Sequence, residues 1–447
     1  MNLIPQFIRQ RISHRPNLVK IIDNIGWLFV DKVLRMGVGL LVGVWVARYL
    51  GPEQFGLLSF ATAFVGLFSA IASVGLQDVV VRDIVYEPAC TEETLGTAAL
   101  LQFIGGLVAY GLILGTIFWL RPDDGLAKII VAILGAAMLF KASEVAVFWF
   151  ESQVQSKYTV LVQNGAFLVF AIIKMALILT HAPLISFAWV TIAEGLLVAA
   201  LMVGMLGLRG PRLQQLHPTC ARAKALLKDS WPLMLSGVAV MIYMKIDQIM
   251  LGQMAGDEAV GTYSAAVRIS EVWYFIPTVI VASVFPTILD AKKRSEEHYY
   301  QRLQHLFDLV FWLSVGVALP LSFMSTYIVT LLFGVAYAES GPVLSIHIWG
   351  AVFVFLGVAS SKWLLAENRQ ILSFQRTALG LISNVLLNCL LIPKYGALGA
   401  AYATVVSFAT AGLFYDLLQK ETRKIFLMKV SALNVVRLIG RVRCLRK

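Results

Sequence analysis

Residues 95–120, LGTAALLQFIGGLVAYGLILGTIFWL, decide the fold class. No charged side chain interrupts the run, and a bilayer core needs about 20 mainly apolar residues per crossing helix. The same character extends outward along the chain. Hydrophobic residues make up 59% of its 447 residues and charged ones 14%, with a mean hydropathy of +0.78. Soluble domains hold roughly 45–50% apolar and about 25% charged residues. A globule of this length lacks the interior to hide the excess. The composition therefore excludes a cytosolic enzyme, a nucleic-acid-binding protein and a disordered scaffold.

Apolar runs between turn or charge clusters give twelve candidate spans. They lie near 22–49, 54–77, 95–120, 126–150, 158–180, 184–208, 226–252, 260–288, 305–333, 342–365, 371–392 and 397–419. No alternation at about ten-residue spacing appears, which excludes a transmembrane β-barrel. The expected fold is an all-α polytopic membrane protein. Lys and Arg set its orientation. With the N-terminus inside, the inner segments and the C-terminal tail hold 25 of them, against only Arg121 and Lys394 outside. Both termini are thus expected in the cytoplasm, and the net charge of +11 calls for no nucleic acid.

The longest loops, near 209–225 and 289–304, have roughly 16 residues each. Neither can fold a nucleotide-binding domain, and no GxxxxGK[ST] or phosphate-binding GxGxxG unit occurs. No outer loop has room for a polymerase or ligase active site. The chain is read as a transporter, not an enzyme. Cys90, Cys220, Cys389 and Cys444 form no CxxC pair and no metal spacing, so reduced thiols are expected, with no cofactor and no metal.

Internal repetition divides the chain. Residues 46–61, VARYLGPEQFGLLSFA, align without a gap on 251–266, LGQMAGDEAVGTYSAA. Gly51 meets Gly256, Glu53 meets Glu258, Gly56 meets Gly261, Ser59 meets Ser264 and Ala61 meets Ala266. A second echo pairs 178–191 with 391–404. Two six-helix halves in one membrane orientation follow, at 21–208 and 226–419, joined by a basic, Pro-punctuated linker at 209–225. Residues 1–20 form a basic cytoplasmic segment. The tail 420–447, with Val436, Leu438, Ile439, Val442 and Leu445 at helical intervals, is expected to lie on anionic membrane lipids.

Three motifs carry a resemblance. One is Asn384-x3-Asn388-x3-Ile392-Pro393-x-Tyr395-Gly396-x2-Gly399-Ala400-Ala401-x2-Thr404. The second is Ile246-Asp247-Gln248-x3-Gly252 followed by Val260-Gly261-x-Tyr263-Ser264-x-Ala266-x-Arg268. The third is Leu50-Gly51-Pro52-x2-Phe55-Gly56. The chain resembles the Wzx-like polysaccharide flippases of the multidrug/oligosaccharidyl-lipid/polysaccharide exporter superfamily. That resemblance implies a V-shaped, alternating-access transporter in the bacterial inner membrane. It implies undecaprenyl-pyrophosphate-linked oligosaccharide as cargo, for O-antigen or exopolysaccharide. A cation-coupled multidrug antiporter of the same superfamily is the alternative.

Ionisable groups at bilayer depth cost at least ~2.5 kcal/mol each on insertion scales and default to functional candidates. The basic ones, Arg35, Lys141, Lys174, Lys245 and Arg268, suit a pyrophosphate through charge-assisted hydrogen bonds. The acids Asp247, Glu194 and Glu271 are candidates for coupling to a proton or sodium ion. Structural pairing competes with both roles. Asp31 with Arg35, Lys141 with Glu144, and Arg268 with Glu271 have the spacing to neutralise each other on one helix face. Lys245 and Asp247 diverge by about 200° on a helix, and Lys174 and Glu194 have no partner on their own helices. His347 reads as a packing residue. Gly37-x-Gly39 and Gly105-Gly106 read as points of close helix approach. Trp27, Trp119, Trp149 and Trp363 fit an aromatic belt.

Overall fold

A computed structural model describes residues 16–434, with side chains from Asp23 onward. Among the described residues every regular element is helical. Ten segments among the described residues are long and apolar enough to cross a membrane. Two of them, Asp23–Tyr86 with 64 residues and Gln370–Leu418 with 49, far exceed the ~20 residues of one crossing. Each is broken midway, which makes twelve crossings.

Helix α1 (Pro16–Leu67) breaks at Gly51, whose φ of 74° and ψ of 171° are open essentially to glycine alone. Pro52 then starts the new helix, where its missing N–H leaves nothing unpaired. Short α2 (Ser69–Ser73) and α3 (Gln77–Tyr86) finish that crossing. After them come α4 (Thr91–Leu120), α5 (Gly125–Gly135) and α6 (Glu144–Ser152). A hairpin of α7 (Ser156–Leu179) and α8 (Leu184–Arg209) follows. Next are α9 (Cys220–Met254), α10 (Asp257–Glu271), α11 (Phe275–Arg294), α12 (Glu296–Phe323), α13 (Ser325–Phe333), α14 (Ser340–His347) and α15 (Gly350–Ala366). The long α16 (Gln370–Ala409) leads through a π-helical turn, Thr410–Phe414, into α17 (Tyr415–Leu418). Helix α18 (Arg423–Ala432) lies past the last span.

The repeat seen in the sequence is structural. Gly256, opposite Gly51 in that alignment, has φ 87° and ψ 173°. Its neighbours Asp257 and Glu258 open α10, where their charge complements the helix dipole. Gly56 and Gly261 pack reciprocally. A methyl on Gly56 would strike the Asp257 carbonyl, and one on Gly261 would strike the Pro52 carbonyl.

Packing groups the chain into two compact units. The first runs to Leu50 and resumes at Phe60–Met241, around Leu76, Val80, Leu95 and Phe148. The second takes Gly51–Ser59 and everything from Ile242, around Leu303, Phe307, Phe355 and Trp363. This division differs from 21–208 and 226–419 for physical reasons. Residues 226–241 stay with the first unit because Ser230 and Met234 rest their backbone against Gly75. Arg222 also pins the linker to Asp83 and Glu87, both at 3.2 Å. Residues 51–59 join the second unit through the glycine contact above.

On α4, Leu100, Phe103, Ile104, Leu107 and Val108 are 44–51% exposed, which suits lipid tails as the surrounding solvent. Trp119 is 81% exposed at the end of its span, whereas Trp363 is buried in the second unit's core and belongs to no belt. The run read near 305–333 is divided, with α12 ending at Phe323 shortly after Pro320. Residues 1–15, Val436 and the rest of the tail, and Cys444 lie outside the described residues. Cys90, Cys220 and Cys389 are free thiols.

Candidate functional site

In the first unit the three basic candidates are all paired. Arg35 donates from Nε to Asp31 Oδ1 at 2.7 Å and from Nη2 to Gln163 Oε1 at 3.1 Å. Lys141 holds Glu144 at 2.6 Å. Lys174, without a partner on its own helix, meets Glu194 across the α7–α8 hairpin at 2.9 Å. The last two side chains remain 19% and 20% exposed, so the pair is not sealed in a dry core. Pairing lowers the cost of holding each charge at bilayer depth.

The second unit differs. Lys245 is half-buried and makes no hydrogen bond or ion pair among the described residues. Arg268 and Glu271 do not form the ion pair that their spacing allows. The Gly56–Gly261 contact brings Phe55 against α10, and the Arg268 guanidinium lies over that ring, 5.4 Å from its centroid. The guanidinium thus combines a cation–π contact with a longer-range attraction to Glu271.

Asp247 anchors a buried polar cluster in the second unit. Its Oδ1 accepts from Asn388 Nδ2 at 2.6 Å. Its Oδ2 accepts from Thr404 Oγ1 at 2.7 Å and from the Tyr263 hydroxyl at 3.0 Å. Asn388 Nδ2 also reaches Asn384 Oδ1 at 3.1 Å. Asp247, Tyr263, Asn384, Asn388 and Thr404 are all buried, and a buried carboxylate needs such donors. Two features leave room for change. The single Thr404 hydroxyl hydrogen is contested, because the Ala400 carbonyl lies 2.8 Å away. Asn388 Oδ1 is buried with no donor among the described residues.

Four of these side chains are uncharged, so a search for intramembrane charge passes over them. Their signal was the motif, since Tyr263, Asn384, Asn388 and Thr404 all stand in the runs quoted above. His347 is buried behind the cluster. Its Nδ1 lies 2.9 Å from Ser270 Oγ, and its ring packs edge-on to Tyr263 at 5.8 Å.

The family model described as polysaccharide biosynthesis protein matches residues 21–292. The chain belongs to that family. A second model, MatE, matches residues 232–390. A probable low-salt glycan biosynthesis flippase from Haloferax volcanii is 23% identical over 396 residues, covering 86% of this chain and 80% of that protein. The capsular polysaccharide biosynthesis protein CapF of Staphylococcus aureus is 21% identical over 399 residues, covering 88% and 98%. Among solved structures, the lipid II flippase MurJ in an inward closed conformation is similar in fold. Its TM-score is 0.71 at 16% identity, over 94% of this chain and 93% of that one. The chain is a polysaccharide-type member of the exporter superfamily, and a transporter rather than an enzyme.

Proposed function

We propose that this protein flips a polyprenyl-pyrophosphate-linked oligosaccharide from the cytoplasmic to the outer leaflet of the plasma membrane, for surface polysaccharide. In this reading undecaprenyl is the lipid and both termini are cytoplasmic. The observation that carries it is Lys245, a cation inside a membrane span with no counter-charge bonded to it. An ammonium without a bonded partner at that depth is costly; the Glu271 carboxylate attracts it without bonding it, which leaves its donors free for a diphosphate headgroup. Arg268 offers a second cation, held against Phe55 and attracted by Glu271 without a bonded ion pair. Arg35, Lys141 and Lys174 release phosphate-binding groups only by exchanging their carboxylate partners, which suits transient contacts during passage.

Asp247 is the proposed seat of a coupling proton or sodium ion. Oxygens of Asp247, Asn388 and Thr404 are the hard donors such an ion takes, and the unpaired Asn388 Oδ1 supports that assignment. Glu194, engaged by Lys174, and Glu271 are the lesser coupling candidates. Anionic membrane lipids are the proposed partners of the basic termini.

The test is Lys245→Glu in cells that depend on this chain for surface polysaccharide. The expected outcome is loss of surface polymer and accumulation of lipid-linked oligosaccharide inside, at a normal level of the protein. Unchanged export overturns the assignment. The MatE match favours a second reading, export of cationic drugs. Resistance that is lost in Asp247→Asn and retained in Lys245→Glu would select it.

A further inference from the structure

Three buried polar side chains and one glycine share a face of α16. Arg376, Gly380, Asn384 and Asn388 recur every fourth residue, which puts them on one helix face, and all are buried. Twelve residues of helix span about 18 Å. Facing them on α9, Tyr243 stands one turn before Asp247. The Tyr243 hydroxyl lies against Gly380, 3.1 Å from where a methyl there would sit. It is buried without a hydrogen-bond partner among the described residues. From Asp247 the file thus leads through Asn388 and Asn384, past Tyr243, to Arg376.

A second cation closes the Arg376 end. Arg376 donates to Ser360 Oγ at 2.8 Å and Ser361 Oγ at 2.5 Å. Lys429, from α18 beyond the last span, donates to the same Ser360 Oγ at 2.9 Å, to the Gly412 carbonyl at 2.6 Å and to Asp416 Oδ2 at 2.6 Å. Its side chain is 0% exposed and that of Asp416 2%. Gly412 belongs to the π-helical turn, and such a turn interrupts the regular helical bonding and marks functional sites. Two cations face one carboxylate, so the cluster keeps one net positive charge. In a low-dielectric interior that charge repels cations strongly.

We propose that Arg376, Lys429 and Asp416 form a positively charged plug that seals the cytoplasmic end of this polar file. The plug prevents the coupling cation from leaking past Asp247 through the second unit. This inference rests on the reading of Asp247 as the ion site. A helix anchor alone needs only the neutral Lys429–Asp416 pair, and the surplus charge on Arg376 is what the plug adds.

The experiment uses the full chain in liposomes without lipid-linked substrate, under an imposed potential, with proton and sodium entry measured separately. Lys429→Met removes the surplus charge, and the expected result is a cation leak at least tenfold above the parent. Arg376→Gln removes the same charge with the Lys429–Asp416 pair intact, and the same leak is expected if Lys429→Met fails to fold. Lys429→Met with Asp416→Asn restores one positive charge, and a parental leak is expected. Equal leaks in the single and double variants, or no leak in either folded neutral variant, overturn the plug. Adding Asp247→Asn to Lys429→Met separates the two ideas. Loss of the leak supports both, whereas persistence leaves the plug standing and removes Asp247 from the route.

Discussion

At the scale of single residues, charge state and hydrogen-bond supply decide the roles. Asp247→Asn keeps the size of the side chain but removes its charge and supplies an N–H where Tyr263 and Thr404 donate. Flipping driven by an ion gradient is expected to fall tenfold or more, equal to about 1.4 kcal/mol, and to lose its dependence on that ion. A substrate-flipping assay with and without the gradient reads this. Lys429 gives a prediction of opposite sign. Burial lowers its pKa from the ordinary 10.5 to about 8, so the ammonium is charged at neutral pH and discharges as pH rises through that value. Asp416, which holds the proton in place, and Arg376, which opposes it, are the charged groups around it. Cation leak through the parent should therefore rise several-fold between internal pH 7 and 9. Lys429→Arg should abolish that rise. The sequence showed Asp247 but passed over Arg376 and Asp416 within the last spans, and it placed Lys429 in a tail expected on the membrane surface, whereas the structure buries that side chain completely. Charge in an apolar run is visible by composition, whereas Asn384, Asn388 and Thr404 become polar ligands only once three helices meet. For the same reason Lys174 and Glu194, twenty positions apart, were legible as isolated charges and not as a pair.

At the scale of elements, the repeat explains more than hydropathy does. Gly51 and Gly256 hold the same backbone conformation, and Gly56 and Gly261 each meet a backbone carbonyl, so the weak sequence identity marks positions where only glycine fits. Gly56→Ala or Gly261→Ala is expected to cost about 1–3 kcal/mol through overpacking. Gly256→Ala is expected to cost about 1–3 kcal/mol through backbone strain. Thermal unfolding of the purified protein measures each. Gly37→Ala is the control, because open space surrounds that position, although its motif suggested close approach. Gly106, by contrast, does press on the Met138 carbonyl. Glycine spacing alone does not separate these cases, because it does not say which face meets a neighbour. The repeat is also unequal in chemistry. Carried four residues further back, its register sets Val42 opposite Asp247, and the second echo sets Ala171 and Met175 opposite Asn384 and Asn388. Only Thr191 and Thr404 agree. One half retains the scaffold of the polar cluster without its ligands, so the proposed ion site at Asp247 has no counterpart at the matching positions of the first unit.

At the scale of the whole molecule, orientation is a single variable. Consecutive spans alternate direction, so the side occupied by one loop fixes the side of every other. Twenty-five Lys and Arg against two give the expected value of that variable, by the preference of basic residues for the cytoplasmic side. The plug inherits its sign from it, since the Lys429 end of the polar file is cytoplasmic only if the linker at 209–225 is. Native thiols give the measurement. Cys220 is exposed and Cys90 partly so, both in segments expected inside. Asp123 lies in the turn between α4 and α5, expected outside. A membrane-impermeant maleimide should label Cys90 and Cys220 only after the cells are permeabilised. An Asp123→Cys variant lacking the native cysteines should label in intact cells. Cys389, exposed on α16 within a span, should resist the reagent in both conditions because thiolate formation needs water. The reverse labelling pattern would invert the molecule. Asp247 would then lie nearer the cytoplasm, and the positive cluster would guard the outer face.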